Sequence, residues 1–269
     1  MYILLITIFL LLLLWILSIK GRNNFTDFKE FKRYYFAHRG LHSKGVPENS
    51  LLAFSRAKEM GYGAEFDVHL MSDGNLAVIH DHSLLRTAGE EVFIEDLEIN
   101  QLNNYRLENT DEKIPTLKEV LNLFNGQVPL IIELKSKGNN ISQLCSAVSK
   151  ELENYNGIYC IESFDPRCVR WFKKNNPNVI RGQLSQNYFK SKNKKSPFIL
   201  RCIMSLLITN FLTKPDFVAF KFKDRNFLSN KISTHLWKTQ GVGWTITDMN
   251  DIKNANKENI ISIFENIAP

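Results

Sequence analysis

The segment that decides the fold is residues 64–80, AEFDVHLMSDGNLAVIH, in which two apolar runs carry polar residues at or near their ends. Glu65 and Asp67 lie two residues apart, so both side chains would project from one face of a strand. An Asp73-Gly74 turn separates this run from a second apolar run that ends at His80. Because an unpaired carboxylate within an apolar strand is costly, the segment predicts two strands that carry functional side chains.

Strand-like apolar runs alternate with helix-like stretches from residue 34 to the end of the chain. This alternation predicts an α/β protein with a mostly parallel sheet. The length of about 236 residues favours a (β/α)8 TIM barrel over its rival, an open doubly wound sheet. No G-x-G-x-x-G follows the first strand, which weakens the rival further. The predicted strands are residues 34–38, 64–68, 76–80, 130–134, 158–164, 179–184, 217–222, 242–246 and 260–264, and the predicted helices are 50–60, 116–124, 141–155, 166–174 and 231–239.

Local signals predict where some of these helices begin and end. Ser50 and Thr116 are expected N-caps, because a hydroxyl can accept a hydrogen bond from the first helical turn. Gly61 and Gly241 are expected helix ends.

The composition excludes several classes of protein. The 269 residues include 34 Lys and Arg against 28 Asp and Glu, with 44% apolar and 23% charged residues, which excludes a disordered or collagen-like chain. Four cysteines without a CxxC pair exclude a disulfide-dense scaffold and a cysteine-based zinc site. No nucleic-acid partner is expected.

Residues 1–19 form a separate apolar segment without a charged side chain. A helix of this length would span roughly 28 Å, close to the thickness of the bilayer's hydrocarbon core. No basic residue precedes it and no A-x-A cleavage site follows, so we expect a retained anchor rather than a signal peptide. Basic residues follow it, and the positive-inside rule then predicts a cytoplasmic main domain. The sequence therefore predicts a single-pass cell-membrane protein with a transmembrane anchor at 1–19, a basic tether at 20–33 and a main domain at 34–269.

Further polar residues lie where other predicted strands end. His38-Arg39-Gly40 closes the first strand, Pro47-Glu48-Asn49-Ser50 begins a helix, and Glu133 and Lys135 share one face of a later strand. In a barrel such strand ends converge on one mouth. Three convergent carboxylates suit a hard cation such as Mg²⁺ or Ca²⁺. Two histidines with an arginine and a lysine suit acid–base attack on a phosphate.

Six motifs in this order resemble the glycerophosphodiester phosphodiesterase family. They are HRG at 38–40, PENS at 47–50, EFDV at 65–68, DG at 73–74, HD at 80–81 and ELK at 133–135. Ser163-Phe164 and Trp244-Thr245 also resemble the family's later strand ends, and the resemblance covers about residues 34–266. It implies a TIM barrel that hydrolyses glycerophosphodiesters to an alcohol and glycerol 3-phosphate in lipid metabolism.

The resemblance implies a role for each matching residue. It implies the metal ligands Glu65, Asp67 and Glu133, the acid–base pair His38 and His80, the phosphate contacts Arg39 and Lys135, the further site carboxylate Glu48 and the pocket-lining ring Trp244. The chain departs from the family at 263–266, where it reads IFEN in place of a T-D-x-P-like element. His42, His69 and His82 are additional histidines, which we expect at the surface or behind the site rather than as metal ligands.

A basic and apolar insertion is predicted at residues 186–215. Residues 190–195 include Lys190, Lys192, Lys194 and Lys195, and 11 of the 15 residues from 198 to 212 are apolar. Arg201, Ser205 and Thr209 would form one polar stripe on a helix. Two interpretations stay open: a barrel helix packed on the sheet, or an interfacial helix that docks the catalytic mouth on a lipid bilayer.

The sequence thus predicts a metal-dependent phosphodiesterase in which the two histidines exchange protons with the nucleophile and the leaving group. The nucleophile is water, or a neighbouring glycerol hydroxyl that would give a cyclic phosphate first. One alternative is a lysophospholipase D that uses the same site on lysophospholipids. The other alternative is a catalytically silent, membrane-bound lipid-binding module.

Overall fold

Eight parallel strands close into a barrel in the computed structural model, which describes residues 1–22, 28–190 and 196–269. The strands are β1 (Phe36–His38), β2 (Gly63–Leu70), β3 (Leu76–Val78), β4 (Leu130–Leu134), β5 (Tyr159–Ser163), β6 (Ile180–Ser185), β7 (Phe217–Lys221), β8 (Gln240–Ile246) and β9 (Ile261–Phe264). Around the barrel the order is β1, β2, β4, β5, β6, β7, β8, β9, and β1 pairs with both β2 and β9. β3 pairs with β2 in antiparallel register and so lies outside the ring of parallel strands. The predicted barrel is therefore confirmed.

The helices follow the strands in the expected alternation. They are α1 (Tyr2–Ser18), α2 (Leu51–Glu59), α3 (Leu85–Ala88), α4 (Leu117–Phe124), α5 (Ile141–Leu152), α6 (Pro166–Asn175), α7 (Phe198–Ser205), α8 (Asn210–Thr213), α9 (Leu228–Lys231) and α10 (Met249–Lys257). Buried rings join helices to the sheet: Phe54 of α2 lies 5.5 Å from Phe66 of β2 and 5.7 Å from Phe124 of α4, between ring centroids. Such aromatic contacts add to the apolar area that each helix buries.

Two predicted caps are confirmed, and one predicted helix end is wrong. The Ser50 hydroxyl accepts a hydrogen bond from the Ala53 amide at 3.1 Å, and Thr116 forms a reciprocal capping box with Glu119. Gly241 lies inside β8 instead of ending a helix. A Cβ at this position would lie only 3.2 Å from a methyl group of Thr234, so close packing explains the glycine.

Alternation along the strands separates the two layers of the core. Phe66 of β2 and Ile132 of β4 pack outward against helices, whereas Ile131 packs in the barrel interior with Phe36 and Phe217. Phe28 and Phe31 belong to this interior cluster, and the Phe31 ring stacks on Phe36 at 5.9 Å. The described part of the predicted tether therefore contributes to the barrel core, while residues 23–27 lie outside the described residues.

The predicted single-pass membrane anchor is wrong. Within residues 1–22, 28–190 and 196–269, no helix is long and apolar enough to cross a membrane. α1 has 17 residues, and its last turn is held by the barrel: Trp15 Nε1 donates to the Leu206 carbonyl at 3.0 Å, and Trp237 Nε1 donates to the Ile16 carbonyl at 2.8 Å. Ile19, which we counted as part of the anchor, is fully buried in the barrel's hydrophobic core. The predicted cytoplasmic orientation rested on that anchor and is withdrawn with it.

The predicted insertion does not form one continuous helix. α7 ends at Ser205 and α8 begins at Asn210, with Leu207 between them at a φ of +54°. Ser205 and Leu207 are buried, whereas Phe198 and Ile199 are exposed, so the segment is partly core and partly surface. Lys192, Lys194 and Lys195 lie outside the described residues. Docking of this segment on a lipid bilayer stays a prediction.

Candidate active site

Three buried carboxylates meet where β2 and β4 end. Glu65 and Asp67 are on β2, and Asp67 lies opposite Glu133 of β4 in the parallel register. One oxygen from each carboxylate lies within 4.8 Å of one oxygen from each of the others. All three side chains are almost completely buried. The strand register therefore brings together the three residues that the sequence predicts as metal ligands.

Lys135 lies between two of these carboxylates. Its Nζ lies 2.9 Å from Asp67 Oδ1 and 2.8 Å from Glu133 Oε1. Burial raises the pKa of Glu133 to about 7, although Lys135 opposes this rise. Burial and the neighbouring carboxylates, Asp67 first, raise the pKa of Glu65 well above its usual value. Burial would also raise the pKa of Asp67, but Lys135, His80 and Arg39 hold it far below its usual range.

A fourth carboxylate adds to the negative charge. Glu162 of β5 lies opposite Glu133 in the register, and its Oε2 is buried without a hydrogen-bond partner among the described residues. Burial raises its pKa well above the usual value, and the charges of Glu133 and Asp67 raise it further. Glu162 was not predicted from the sequence, although it lies in the apolar run directly before Ser163-Phe164. Four buried carboxylates beside one lysine and one arginine fit a divalent cation, because hard cations prefer carboxylate oxygens.

His38 is held by a carboxylate from the other end of the chain. Its Nδ1 lies 2.6 Å from Oε2 of Glu265, which directly follows β9, and its Nε2 lies 3.9 Å from Oε2 of Glu65. The hydrogen bond from His38 lowers the pKa of Glu265, although burial opposes the shift. This bond turns Nε2 toward the carboxylate cluster. The sequence analysis treated residues 263–266 as a lost motif and did not single out Glu265.

His80 has the same arrangement. Its Nδ1 lies 2.6 Å from Asp81 Oδ1, and the guanidinium of Arg86 binds the other oxygen of Asp81. Burial lowers the pKa of His80, although the charge of Asp67 opposes the shift. Both predicted acid–base residues are thus imidazoles whose Nδ1 faces a carboxylate.

Arg39 and Glu48 connect the two histidine regions. Arg39 Nη1 donates to Glu48 Oε1 at 2.8 Å, and Glu48 also accepts from Arg86 at 2.6 and 3.0 Å. Burial would raise the pKa of Glu48, but the hydrogen bonds and charges of Arg86 and Arg39 hold it below its usual value. The Arg39 amide donates to Glu65 Oε2 at 3.2 Å. Arg86 was not predicted from the sequence.

Two left-handed residues shape this corner. Arg39 has a φ of +54° and Gly40 a φ of +79°. A Cβ on Gly40 would lie 2.9 Å from Ala53 of α2, so both the backbone conformation and the space require glycine in the HRG motif. Asn49, whose amide donates to Asp67 Oδ2 at 3.0 Å, is a further contact that sequence reasoning did not assign.

A cavity of about 630 Å³ borders the carboxylate cluster. Glu133 and Lys135 line it, together with Leu200, Arg201 and Met204 of α7. Phe164 also lines the cavity and makes an edge contact with Trp244 at 5.7 Å between ring centroids. Trp244 itself is not among the residues that line this cavity, and its Nε1 is buried with no hydrogen-bond partner within the described part of the chain. The cavity therefore presents both charged and apolar side chains.

The chain is similar to a family of phosphodiesterases over most of its length. The family model described as "Glycerophosphoryl diester phosphodiesterase family" matches residues 38–264. A glycerophosphodiester phosphodiesterase of Caldanaerobacter subterraneus is 36% identical over 165 residues, which is 58% of this chain and 68% of that protein. Lysophospholipase D GDPD1 of Rattus norvegicus is 31% identical over 136 residues, covering 46% of this chain and 43% of that protein.

A solved structure shows the same fold. The structure of an Oleispira antarctica phosphodiesterase, determined in complex with the product sn-glycerol-3-phosphate, superposes with a TM-score of 0.69 at 21% sequence identity. The superposition covers 86% of this chain and 92% of that one.

Proposed function

The chain belongs to the glycerophosphoryl diester phosphodiesterase family and is a phosphoric diester hydrolase, and on that premise we propose how it acts and on what. We propose that residues 34–269 hydrolyse glycerophosphodiesters, the deacylated phospholipids, to an alcohol and glycerol 3-phosphate. The observation that carries this proposal is the buried carboxylate cluster with a carboxylate-bound histidine on either side. The predicted alternative of a catalytically silent module is not supported, because the family and the relative from Caldanaerobacter are enzymes.

The proposed cation ligands are Glu65, Asp67 and Glu133. An all-oxygen set of carboxylates suits Mg²⁺ or Ca²⁺. Such a cation would supply positive charge beside the phosphate and orient the hydroxyls of the glycerol. Lys135 binds Asp67 and Glu133, two of the three carboxylates, and its charge opposes the rise that burial causes in the pKa of each.

The two histidines would move the protons. One imidazole takes a proton from the attacking water as its oxygen bonds to phosphorus, and the other gives a proton to the alcohol oxygen as the phosphorus–oxygen bond breaks. Nδ1 of each ring is engaged by Glu265 or Asp81, so Nε2 is the atom that exchanges the proton. If a glycerol hydroxyl attacks first, the same two transfers give a cyclic phosphate that water then opens.

The phosphate contacts would come from Arg39 and Lys135. The charged groups of Arg39 and Lys135 already form ion pairs with carboxylates of the site, so both side chains are fixed in position before substrate binds. A preorganised cation stabilises developing negative charge without reorganising during the reaction. Trp244 packs against Phe164, which lines the cavity, so its proposed contribution to the pocket is to hold that ring in place.

The test of the proposal is a metal-dependent assay with glycerophosphocholine and glycerophosphoethanolamine. We expect release of glycerol 3-phosphate, loss of activity with a chelator, and recovery with Mg²⁺ or Ca²⁺. Replacing Glu65, Asp67 or Glu133 by Ala should abolish turnover, and His38→Ala or His80→Ala should each lower it at least about 10²-fold. Full activity after chelation, or normal turnover in both histidine variants, would contradict the assignment.

A lysophospholipase D activity is the second candidate, because apolar side chains of α7 line part of the cavity. Leu200 and Met204 are among them, and an acyl chain attached to the glycerol could pack against them. The rat relative carries the name of this activity. The proposal is that the same catalytic residues cleave a lysophospholipid when its chain lies against α7.

One pair of variants separates the two candidates. Leu200→Asp should raise the KM for a lysophospholipid at least about tenfold and leave glycerophosphocholine hydrolysis unchanged, because it charges a residue that lines the cavity but is not one of the proposed catalytic or metal-binding residues. Ile199→Asp is the matched control, since Ile199 lies on the same helix, is exposed and does not line the cavity. Equal KM values in the two variants would remove the acyl-chain proposal while leaving diester hydrolysis untouched.

A further inference from the structure

Two histidines and a glutamate gather beside the active site without a role in the proposed reaction. They are His69 of β2, His82 after β3, and Glu95 in the short turn Ile94–Asp96. One ligand atom from each lies within 4.8 Å of one from each of the others. Backbone hydrogen bonds fix the loops that carry them: the Ile94 amide donates to the His82 carbonyl at 2.9 Å, and Ser83 pairs with Phe93. The cluster is therefore built into the fold rather than formed by chance contact of mobile side chains.

Both ring nitrogens of His69 are held by fixed partners. Its Nε2 lies 3.2 Å from the carbonyl oxygen of His80, and its Nδ1 lies 2.8 Å from Glu95 Oε1. The carbonyl oxygen can only accept, so Nε2 donates to it. Metal-bound histidines are typically oriented in the same way, with one ring nitrogen donating to a backbone carbonyl and the other facing the metal.

The neighbouring side chains leave the same oxygen available for a cation. His82 Nδ1 also faces Glu95 Oε1, while Lys137 Nζ binds the other oxygen of Glu95 at 3.1 Å. Lys137 therefore turns Oε1 toward the two imidazoles, although its like charge would lower the affinity for a cation. His69 is fully buried, but the His82 side chain is 44% exposed, which gives an ion a route from solvent.

Contrary to the expectation from the sequence that His69 and His82 are not metal ligands, we propose that His69, His82 and Glu95 form a second metal site for a transition-metal cation of the Zn²⁺ class. Two imidazole nitrogens and one carboxylate oxygen suit Zn²⁺ or Co²⁺, whereas the all-oxygen set of Glu65, Asp67 and Glu133 suits Mg²⁺ or Ca²⁺. Three protein ligands leave a fourth position for water. Because His69 donates to the carbonyl of His80, an ion bound here would also fix the chain segment that carries the proposed acid–base residue.

The test is a Co²⁺ titration of the full chain in excess Mg²⁺, followed by visible absorption. Mg²⁺ occupies the carboxylate cluster, so Co²⁺ bound to nitrogen ligands is observed alone. We expect one equivalent of Co²⁺ with a nitrogen-ligated spectrum that Zn²⁺ displaces and Mg²⁺ does not. His82→Ala and Glu95→Gln should each weaken binding at least about tenfold. Zn²⁺ should raise the melting temperature of the unmodified chain more than that of His82→Ala.

Two control variants distinguish this site from the other ligands in the protein. His42→Ala disrupts the other group of two histidines and a carboxylate, which consists of His38, His42 and Glu265. Asp67→Asn alters the carboxylate cluster, and both variants should keep the Co²⁺ spectrum. The proposal is overturned if the unmodified chain shows no saturable nitrogen-ligated spectrum, which would leave His69 and His82 as hydrogen-bond partners of Glu95 only. It is also overturned if His82→Ala binds Co²⁺ as tightly as the unmodified chain, or if Asp67→Asn abolishes binding.

Discussion

Each proposed catalytic histidine has a carboxylate bonded to its Nδ1, and the two carboxylates differ in how visible they are in the sequence. Asp81 is adjacent to His80, so the pair is apparent as a motif. Glu265 is 227 positions from His38, and only closure of β9 on β1 brings them together. Such a pair is not encoded by local spacing, which explains why the sequence predicted the histidines and missed Glu265. The same reason applies to Glu162, which acquires its environment only from the register with Glu133.

Glu265→Gln should lower kcat about tenfold or more and leave KM nearly unchanged. The amide keeps the shape of the side chain but removes the charge that orients His38, so the loss falls on proton transfer rather than on substrate binding. Steady-state kinetics with glycerophosphocholine gives both parameters. Glu258→Gln is the control, because Glu258 pairs with Arg225 at the surface. A normal kcat for Glu265→Gln would argue against this positioning role. So would a Glu265→Asp variant that is no more active than Glu265→Gln, because the aspartate restores the carboxylate.

Glu48→Gln should destabilise the protein in a pH-dependent way. The pKa of Glu48 is below its usual value of 4.5 in the folded chain, so its ionised form contributes stability above about pH 4.5. That contribution is lost as the pH falls toward the lowered pKa. The variant should therefore melt below the unmodified chain at pH 7, by the equivalent of about 1–3 kcal/mol, and the difference should shrink near pH 3. Thermal melts at both pH values check this, and a difference that grows on acidification would contradict it.

At the scale of secondary-structure elements, the start of a helix could be predicted from the sequence where the capping residue acts only within its own helix. Ser50 and Thr116 begin α2 and α4 as predicted, because each hydroxyl needs only the next turn of its own helix. The structure of residues 198–212 could not be predicted from their apolar composition, because some of the apolar side chains are buried and others are exposed. The helix is interrupted at Leu207, which allows α7 to line the cavity while α8 packs beside α6. Amino-acid composition does not reveal such an interruption.

Leu207→Asp and Ile199→Asp should therefore have opposite outcomes. Leu207 is 1% exposed and belongs to a core cluster, so the aspartate would be a buried, unpaired charge and the domain should unfold or melt far lower. Ile199 is 71% exposed, and its replacement should change the melting temperature little. Circular dichroism melts of the two variants measure the contrast. Similar melting temperatures for the two variants would mean that the Leu207 side chain is not part of the folded core.

For the whole molecule, the alternation of strands and helices predicted the barrel, because each strand and the helix that follows it pack against their neighbours in the same way. Closure itself adds contacts that no single unit contains, such as β1 with β9. The packing of α1 against the barrel could not be predicted in this way. Its composition is apolar throughout, but which part is buried depends on the surface that the barrel presents, here the carbonyl of Leu206 and the ring of Trp237.

Two truncations test how α1 belongs to the molecule. Removing residues 1–14 deletes only exposed side chains, so the melting temperature should stay within a few degrees of the full chain. Removing residues 1–22 also deletes the fully buried Ile19 and the contact of Arg22 with Asp216. Burial of one such aliphatic side chain contributes roughly 1.5–3 kcal/mol, which corresponds to about 3–12 °C for a domain of this size. Both truncations should keep diesterase activity, because the proposed catalytic residues lie between His38 and Glu265. Equal melts for the two truncations would show that the last turn of α1 does not contribute to the barrel's stability.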